Sequence, residues 1–410
     1  MPDTEFIGRL GVWEGYEVTN VQRFEAGVKG PRPQAWIELE PVPGRRMICE
    51  GCGEAVEAIH DASERWVRDL PVFDAETHLC VWRCRLACPR CGPKLERLSW
   101  LDRYARVTRR LAESVIRLCE VASIKHVAET YSLGWDAVKD LHKSALERRL
   151  EPADLSGVTR LAMDEFAIQK GHRYATVVIE PIRRRVLWVG RGRDRESVKP
   201  FFELLGPERS ARIEAVAMDM TASYELEVRA RCPKAVIVFD LFHVVAKYGR
   251  EVIDRARVDE ANRLRRDKKA RKLVKGSRWL LLRNRENVRK EDRVRLRELL
   301  DANRALFKVY VLRDDLKSLW SYTSPGHALR FWKSWFWRAT HSRVPALCAF
   351  ARKLKPFLHG ILAHCRYPMH TSVLEGINNR IKVIKRMAYG FRDDAYFFLR
   401  IRAAFPGKGG

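Results

Sequence analysis

No apolar run in this 410-residue chain approaches the roughly eighteen residues that a membrane-spanning helix needs, so a helical anchor is excluded. The opening "MPDTEFIGRLGVWEG" has neither the basic nor the apolar region of a secretion signal, and a cytoplasmic location is expected. Acidic residues are scarce beside basic ones: 52 Asp and Glu stand against 78 Lys and Arg, a net charge of +26. That imbalance exceeds what solubility requires and points to a polyanion, nucleic acid first. No constellation isolates a serine or tyrosine nucleophile, so nothing demands a covalent protein intermediate.

The length suggests two to four domains with real cores. Of ten cysteines, six fall between Cys49 and Cys91, and in a reducing compartment such clustering matters more than pairing into disulfides. After β-like pieces ("YEVTNVQRF", "AWIELEPV") come "CEGC", with Cys49 and Cys52, and "CPRC", with Cys88 and Cys91. Two such turns each offer two thiolates, enough to close one tetrahedral structural Zn²⁺ site. "WVRDLPVF" and "HLCVWRCRL" read as the strands that bring the pairs together. Cys80 fits an ordinary buried thiol, and Cys84 stays open between core and ligand.

From Arg106 the spacing turns helical. In "SIKHVAETYSLGWDAVKDLHK", Ile124, Val127, Ala128, Tyr131, Leu133, Trp135, Val138 and Leu141 form two short apolar faces around a break at 132–134, the pattern of a helix-turn-helix. Ser132 stands where glycine is common. The second helix, about Trp135 to Lys143, is the one offered to the major groove, with Asp136, Lys139 and Lys143 expected to point outward.

"VTRLAMDEFAI", "RYATVVIEP" and "RRVLWVGRGR", the first two joined by "QKGH", read as an antiparallel meander, followed by helix, strand "EAVAMDM", helix and strand "KAVIVFD". Three strands, helix, strand, helix, strand is the order of the ribonuclease H fold. Asp164 is expected to end the first strand, Asp219 the fourth and Asp240 the fifth. Carboxylates at strand ends project into the crevice beyond the sheet and are the hard ligands that Mg²⁺ prefers. Asp164 and Asp219, with Glu375 from a later helix, would hold two metal ions for in-line displacement at phosphorus. Asp240 in place of Asp219 is the alternative assignment. Glu165 is expected on the opposite face of its strand.

A very basic helical stretch begins at "RLRRDKKARKLVKGSRW" and favours phosphate contact with strong salt dependence. In "FWKSWFWR", Trp332, Trp335 and Trp337 have the helical spacing of core residues rather than of base-stacking platforms. Asn379, Lys382 and Arg386 follow Glu375 on one helix and would hold a DNA end over the metals. "FPGKGG" reads as a disordered tail.

The segments "MDEFAIQKG", "VAMDM", "VIVFDLFHVV", "KGSRWLLLRN" and "VLEGINNRIKVIKRMAYGFRD" resemble the transposases of the ISL3 insertion-sequence family, and the resemblance runs over nearly the whole chain. It implies a DDE transposase that binds the terminal inverted repeats of its own element, frees a 3′-hydroxyl at each end and uses it to attack target DNA. It also implies Mg²⁺ or Mn²⁺, a bacterial nucleoid setting and at least a dimer to pair two ends. "DLFH" looks like the (C/D)-x-x-H signature of such groups, which makes Asp240 and His243 accessory. The expected organisation is a β-rich zinc domain (1–97), a helix-turn-helix domain (98–152), the ribonuclease H-like domain (153–245), a basic helical insertion (246–365) and the final catalytic helices (366–410).

Overall fold

The computed structural model describes residues 4–169, 171, 173–220, 222–369 and 372–407. Lys170 and His172 of the expected "QKGH" turn and the last three residues of the tail lie outside them. The chain divides into two compact units, Met1–Arg149 and Leu150–Gly410.

In the first unit, α1 (Thr4–Gly11) precedes a sheet of β1 (Tyr16–Phe24), β2 (Gln34–Pro41), β3 (Ile59–Val72), β4 (Ala75–Cys88) and β5 (Gly92–Leu95). The order is β1-β2-β4-β3, with β5 also on β4. β3 and β4 are each 14 residues long, well beyond the expected segments, because their antiparallel pairing runs on from Val72↔Ala75 to Ile59↔Leu86. Trp13, Ile37, Leu39, Val67, Leu79 and Val81 form the core on one face. Three helices follow, α2 (Arg109–Cys119), α3 (Ile124–Tyr131) and α4 (Trp135–Arg149). Thr108 and Ser123 cap α2 and α3 by accepting N–H bonds from Leu111 and His126.

The second unit is built on β6 (Arg160–Gln169), β7 (Arg173–Glu180), β8 (Arg185–Arg191), β9 (Ala215–Met218) and β10 (Val236–Phe239), in the order β10-β9-β6-β7-β8. β6, β7 and β8 form an antiparallel meander, and β9 and β10 add in parallel. The short, wholly buried "AVAM" and the three buried residues that end "VIVF" are the apolar runs of central parallel strands. The parallel additions require crossovers, made by α5 (Arg195–Leu205) with α6 (Pro207–Ser210) and by α7 (Ala222–Arg231).

From Leu241 the described chain is helical, as the spacing predicts. α8 (Leu241–Tyr248) passes through a wide turn at Gly249–Ile253 into α9 (Asp254–Arg263), α10 (Lys268–Gly276), α11 (Arg278–Leu282), α12 (Lys290–Ala302), α13 (Arg304–Ser318), α14 (Pro325–Thr340), α15 (Pro345–Leu354) and α16 (Leu358–Ala363). Trp332 and Trp335 are buried in this bundle, and the Trp335 indole donates to the Leu312 carbonyl; Trp337 is exposed and stacks on His341. α16 meets β10 so closely that a Cβ on Gly360 would come within 2.4 Å of the Phe239 ring. The chain closes with α17 (Ser372–Met387), against β6, and α18 (Asp394–Ala404), against β8. No described helix is long and apolar enough to cross a membrane.

Candidate active site

The cysteine pairs of the first unit sit on two tight turns. Gly53 (φ +76°) and Gly92 (φ +68°) supply left-handed backbone that other residues enter only with strain. The sulfurs of Cys49, Cys52, Cys88 and Cys91 all lie within 4.8 Å of one another, a closed donor set that fits tetrahedral Zn²⁺. The Cys52 N–H, directed at the Cys49 sulfur, lowers that thiol, while burial and the neighbouring sulfurs raise Cys52 and Cys91. Cys80 donates instead to Glu64 Oε1 at 2.9 Å, and Cys84 is buried in the core beside Arg45. Neither joins the cluster.

The helix-turn-helix forms around Ser132, which takes the left-handed conformation (φ +49°, ψ +48°) that glycine would adopt freely. Arg68 fastens the turn by donating to the carbonyls of Tyr131 and Ser132. The structure corrects the outward face of α4. Val138, His142 and Leu146 are its buried stripe, so Lys139 and Lys143, one position on, flank that stripe and are half-buried. The Lys139 side chain is 21% exposed and lies over the Trp135 ring. Trp135, expected on the apolar face, is exposed together with Asp136.

In the second unit the carboxylates assemble through strand register. β6 continues to Gln169, so Asp164 stands within the strand rather than at its end; the β6–β7 hairpin outlasts the parallel pairing with β9. Ala162 pairs with Ala217 and Met218 with Phe239. Two residues beyond the first pair stand Asp164 and Asp219, and one beyond the second stand Asp219 and Asp240. The three aspartates therefore form one row across β6, β9 and β10, on one face.

His243, on the first turn of α8, reaches all three: Nδ1 is 3.4 Å from Asp219, and Nε2 is 3.8 Å from Asp164 and 3.9 Å from Asp240. Burial disfavours the imidazolium, but the nearby carboxylates of Asp164 and Asp219 outweigh it and raise His243 to about 10. Burial likewise opposes Asp219 ionisation, yet the bond and charge of His243 hold its carboxyl below the usual range. Asp240 Oδ1 accepts the Phe242 N–H at 2.6 Å and caps α8.

A cavity of about 330 Å³ opens at Asp164 and Asp240; Asp219, between them in the row, is not among its lining residues and is reached through His243. Asp164, Asp240 and His243 line it from the sheet side, and Glu375, Asn379 and Lys382 from α17. Arg386, exposed and a further turn along, is not among its lining residues. Glu375 is exposed in the first turn of α17; among the described residues the cysteine set is the only group of three or more ligands drawn within 4.8 Å. Glu165 also reaches the cavity rim and pairs with Arg193 at 3.3 Å.

Sequence reasoning missed two residues of α17. Asn378 Nδ2 donates to Asp164 Oδ2, and its Oδ1 is buried without a hydrogen-bond partner. Lys385 Nζ donates to the Ala167 carbonyl at 2.7 Å and ties α17 to β6. The signal was present, since Asn378 lies one helical turn beyond Glu375.

A helix-turn-helix in one unit and, in the other, an aspartate row of which Asp164 and Asp240 line an open cavity mark the class of an enzyme that binds DNA and cuts or transfers its strands. Residues 161–401 match the ISL3 family model described as a transposase, and residues 96–143 match the helix-turn-helix domain of transposase family ISL3. The chain is 54% identical over 409 residues to the transposase for insertion sequence element IS1001 of Bordetella parapertussis, covering 100% of both chains. It is 26% identical over 415 residues to the transposase for insertion sequence element IS1557 of Mycobacterium tuberculosis, covering 94% of this chain and 92% of the relative. The chain belongs to the ISL3 family of transposases.

Proposed function

We propose that the second unit is a ribonuclease H-like catalytic domain with a helical insertion, and that the protein moves its element as a DDE transposase. Its N-terminal unit recognises terminal inverted repeats; Asp164, Asp219 and Glu375 serve strand cleavage and strand transfer. The reading rests on the single row of Asp164, Asp219 and Asp240. The sheet order, a meander of three followed by two parallel additions, supports it.

The donor set fits hard divalent ions, Mg²⁺ or Mn²⁺, which would supply activation of the attacking oxygen and charge compensation for the leaving one. Asp164 and Asp219 would hold them, with Glu375 as the third carboxylate. Asn378 orients Asp164 from α17. Asp240 is committed to capping α8 and, with His243, plays an accessory part in setting the charge of the row. Asn379, Lys382 and Arg386 would steady the DNA end, and Lys139 and Lys143 would meet the repeat from the flanks of α4. Zn²⁺ on the four cysteines is structural. Pairing two element ends calls for at least a dimer.

The test uses labelled duplex carrying the element's end, with Mg²⁺ and the wild type, Asp219→Ala or Asp240→Ala. Cleavage is expected to vanish in Asp219→Ala with DNA binding kept, and only to slow in Asp240→Ala. The opposite pattern would transfer the ligand role to Asp240. A wild type that binds the end and never cuts it would make the protein a repressor.

A further inference from the structure

The helical insertion carries a feature that neither the aspartate row nor the helix-turn-helix uses. α10 is two-sided: Val274 is buried with Leu273 packed beside it, while Lys268, Lys272 and Lys275 recur at four and three residues and are exposed on the other side. Arg265 and Arg266 extend the exposed charge ahead of the helix. Among the described residues none of these five cations meets a carboxylate. The nearest acid in sequence, Asp267, is occupied in capping α10 through the Ala270 N–H.

Four residues past Lys275, across the junction at Ser277, stands Trp279, 66% exposed although its neighbours Leu280 and Leu281 are buried. Its indole is not loose. Arg278 lies over the ring at 5.2 Å and is itself pinned by Asp254 at 2.8 Å. One face is backed by a fixed guanidinium, and the remaining surface is held toward solvent.

We infer that α10 and Trp279 together form a binding track for a single DNA strand, with the cations on successive phosphates and the indole as a platform for one unpaired base. A duplex hides the faces of its bases, so an exposed ring can stack only where a strand is open or ends. Basic tracks interleaved with aromatic rings are how single strands are held without sequence preference. The inference rests on the transposase reading in one respect: strand cleavage is what would deliver an open end.

The test titrates the full-length protein with a labelled oligothymidylate across a salt series, and with an oligonucleotide bearing a fluorescent purine analogue that is quenched on stacking. Wild type is expected to bind the strand and quench the analogue. Trp279→Ala should weaken strand binding about tenfold and abolish the quench, Trp279→Phe should restore most of both, and terminal-repeat duplex should bind as to wild type. The triple variant K268Q/K272Q/K275Q should flatten the log–log salt dependence by about two, near 0.7 per phosphate for three contacts. Trp279→Ala that binds and quenches like wild type, an unchanged slope in the triple variant, or an oligouridylate that outcompetes the DNA strand would each overturn the assignment. Wild type that quenches through Trp279 yet never cuts an element end would overturn the transposase chemistry and leave the strand track standing.

Discussion

At the scale of single residues, two side chains sit where a different one would change the outcome. Ser132 holds a left-handed turn conformation, and its carbonyl, not its side chain, is what Arg68 grips. Ser132→Gly is therefore expected to stabilise the first unit by roughly 0.5–1 kcal/mol, read as a raised melting temperature with DNA binding unchanged. Asn378 acts through another residue. Its amide fixes one Asp164 oxygen, so Asn378→Ala should leave folding and duplex binding intact and lower end cleavage roughly 10- to 100-fold. The Mn²⁺ concentration for half-maximal cleavage should rise with it; a lowered rate at unchanged Mn²⁺ dependence would leave Asn378 a packing residue only.

Between elements, buried polar joints hold the first unit together. The Asp69 carboxylate on β3 is fully buried and gathers the Trp13 indole N–H at 2.8 Å, the Thr108 hydroxyl that caps α2, and the Arg110 guanidinium. Removing it strands several donors at once, although Arg110 keeps partial access to water. Asp69→Ala is expected to cost about 2–3 kcal/mol, measured by denaturant unfolding of the full chain. None of this joint could be read from the sequence, because Asp69 looks like any polar residue on a half-exposed strand and its partners lie up to 56 positions away. What could be read were features with a local cause: the paired Cys-x-x-Cys turns, the two helix faces around Ser132, and the apolar runs that become β9 and β10. Extents failed where pairing decided them. β6 outruns β9 because its hairpin partner β7 continues, so Asp164 lies inside a strand, and Lys139 sits beside the buried stripe of α4 because a step of one residue turns a helix by only about 100°.

For the molecule as a whole, the two units answer to different chemistry. If the four cysteines hold zinc, a strong chelator or Cys91→Ser should lower the melting transition of the first unit and abolish duplex binding, while the second unit's transition stays in place. Calorimetry on the intact chain would resolve the two; a single unshifted transition would mean the cysteines pack as thiols.

Asp164, Asp240 and Glu375 line one cavity yet stand far apart in the chain, with the whole of α8 to α16 between Asp240 and α17. On the proposed roles, a chain that stops short of Ser372 would keep the zinc turns, the helix-turn-helix and the aspartate row, and lose the glutamate and the amide that orients Asp164. Such a fragment would occupy the element's ends without cutting them. An incomplete copy of the gene would thus encode a competitor of its intact sibling, and the copy number of the element would feel the ratio between the two.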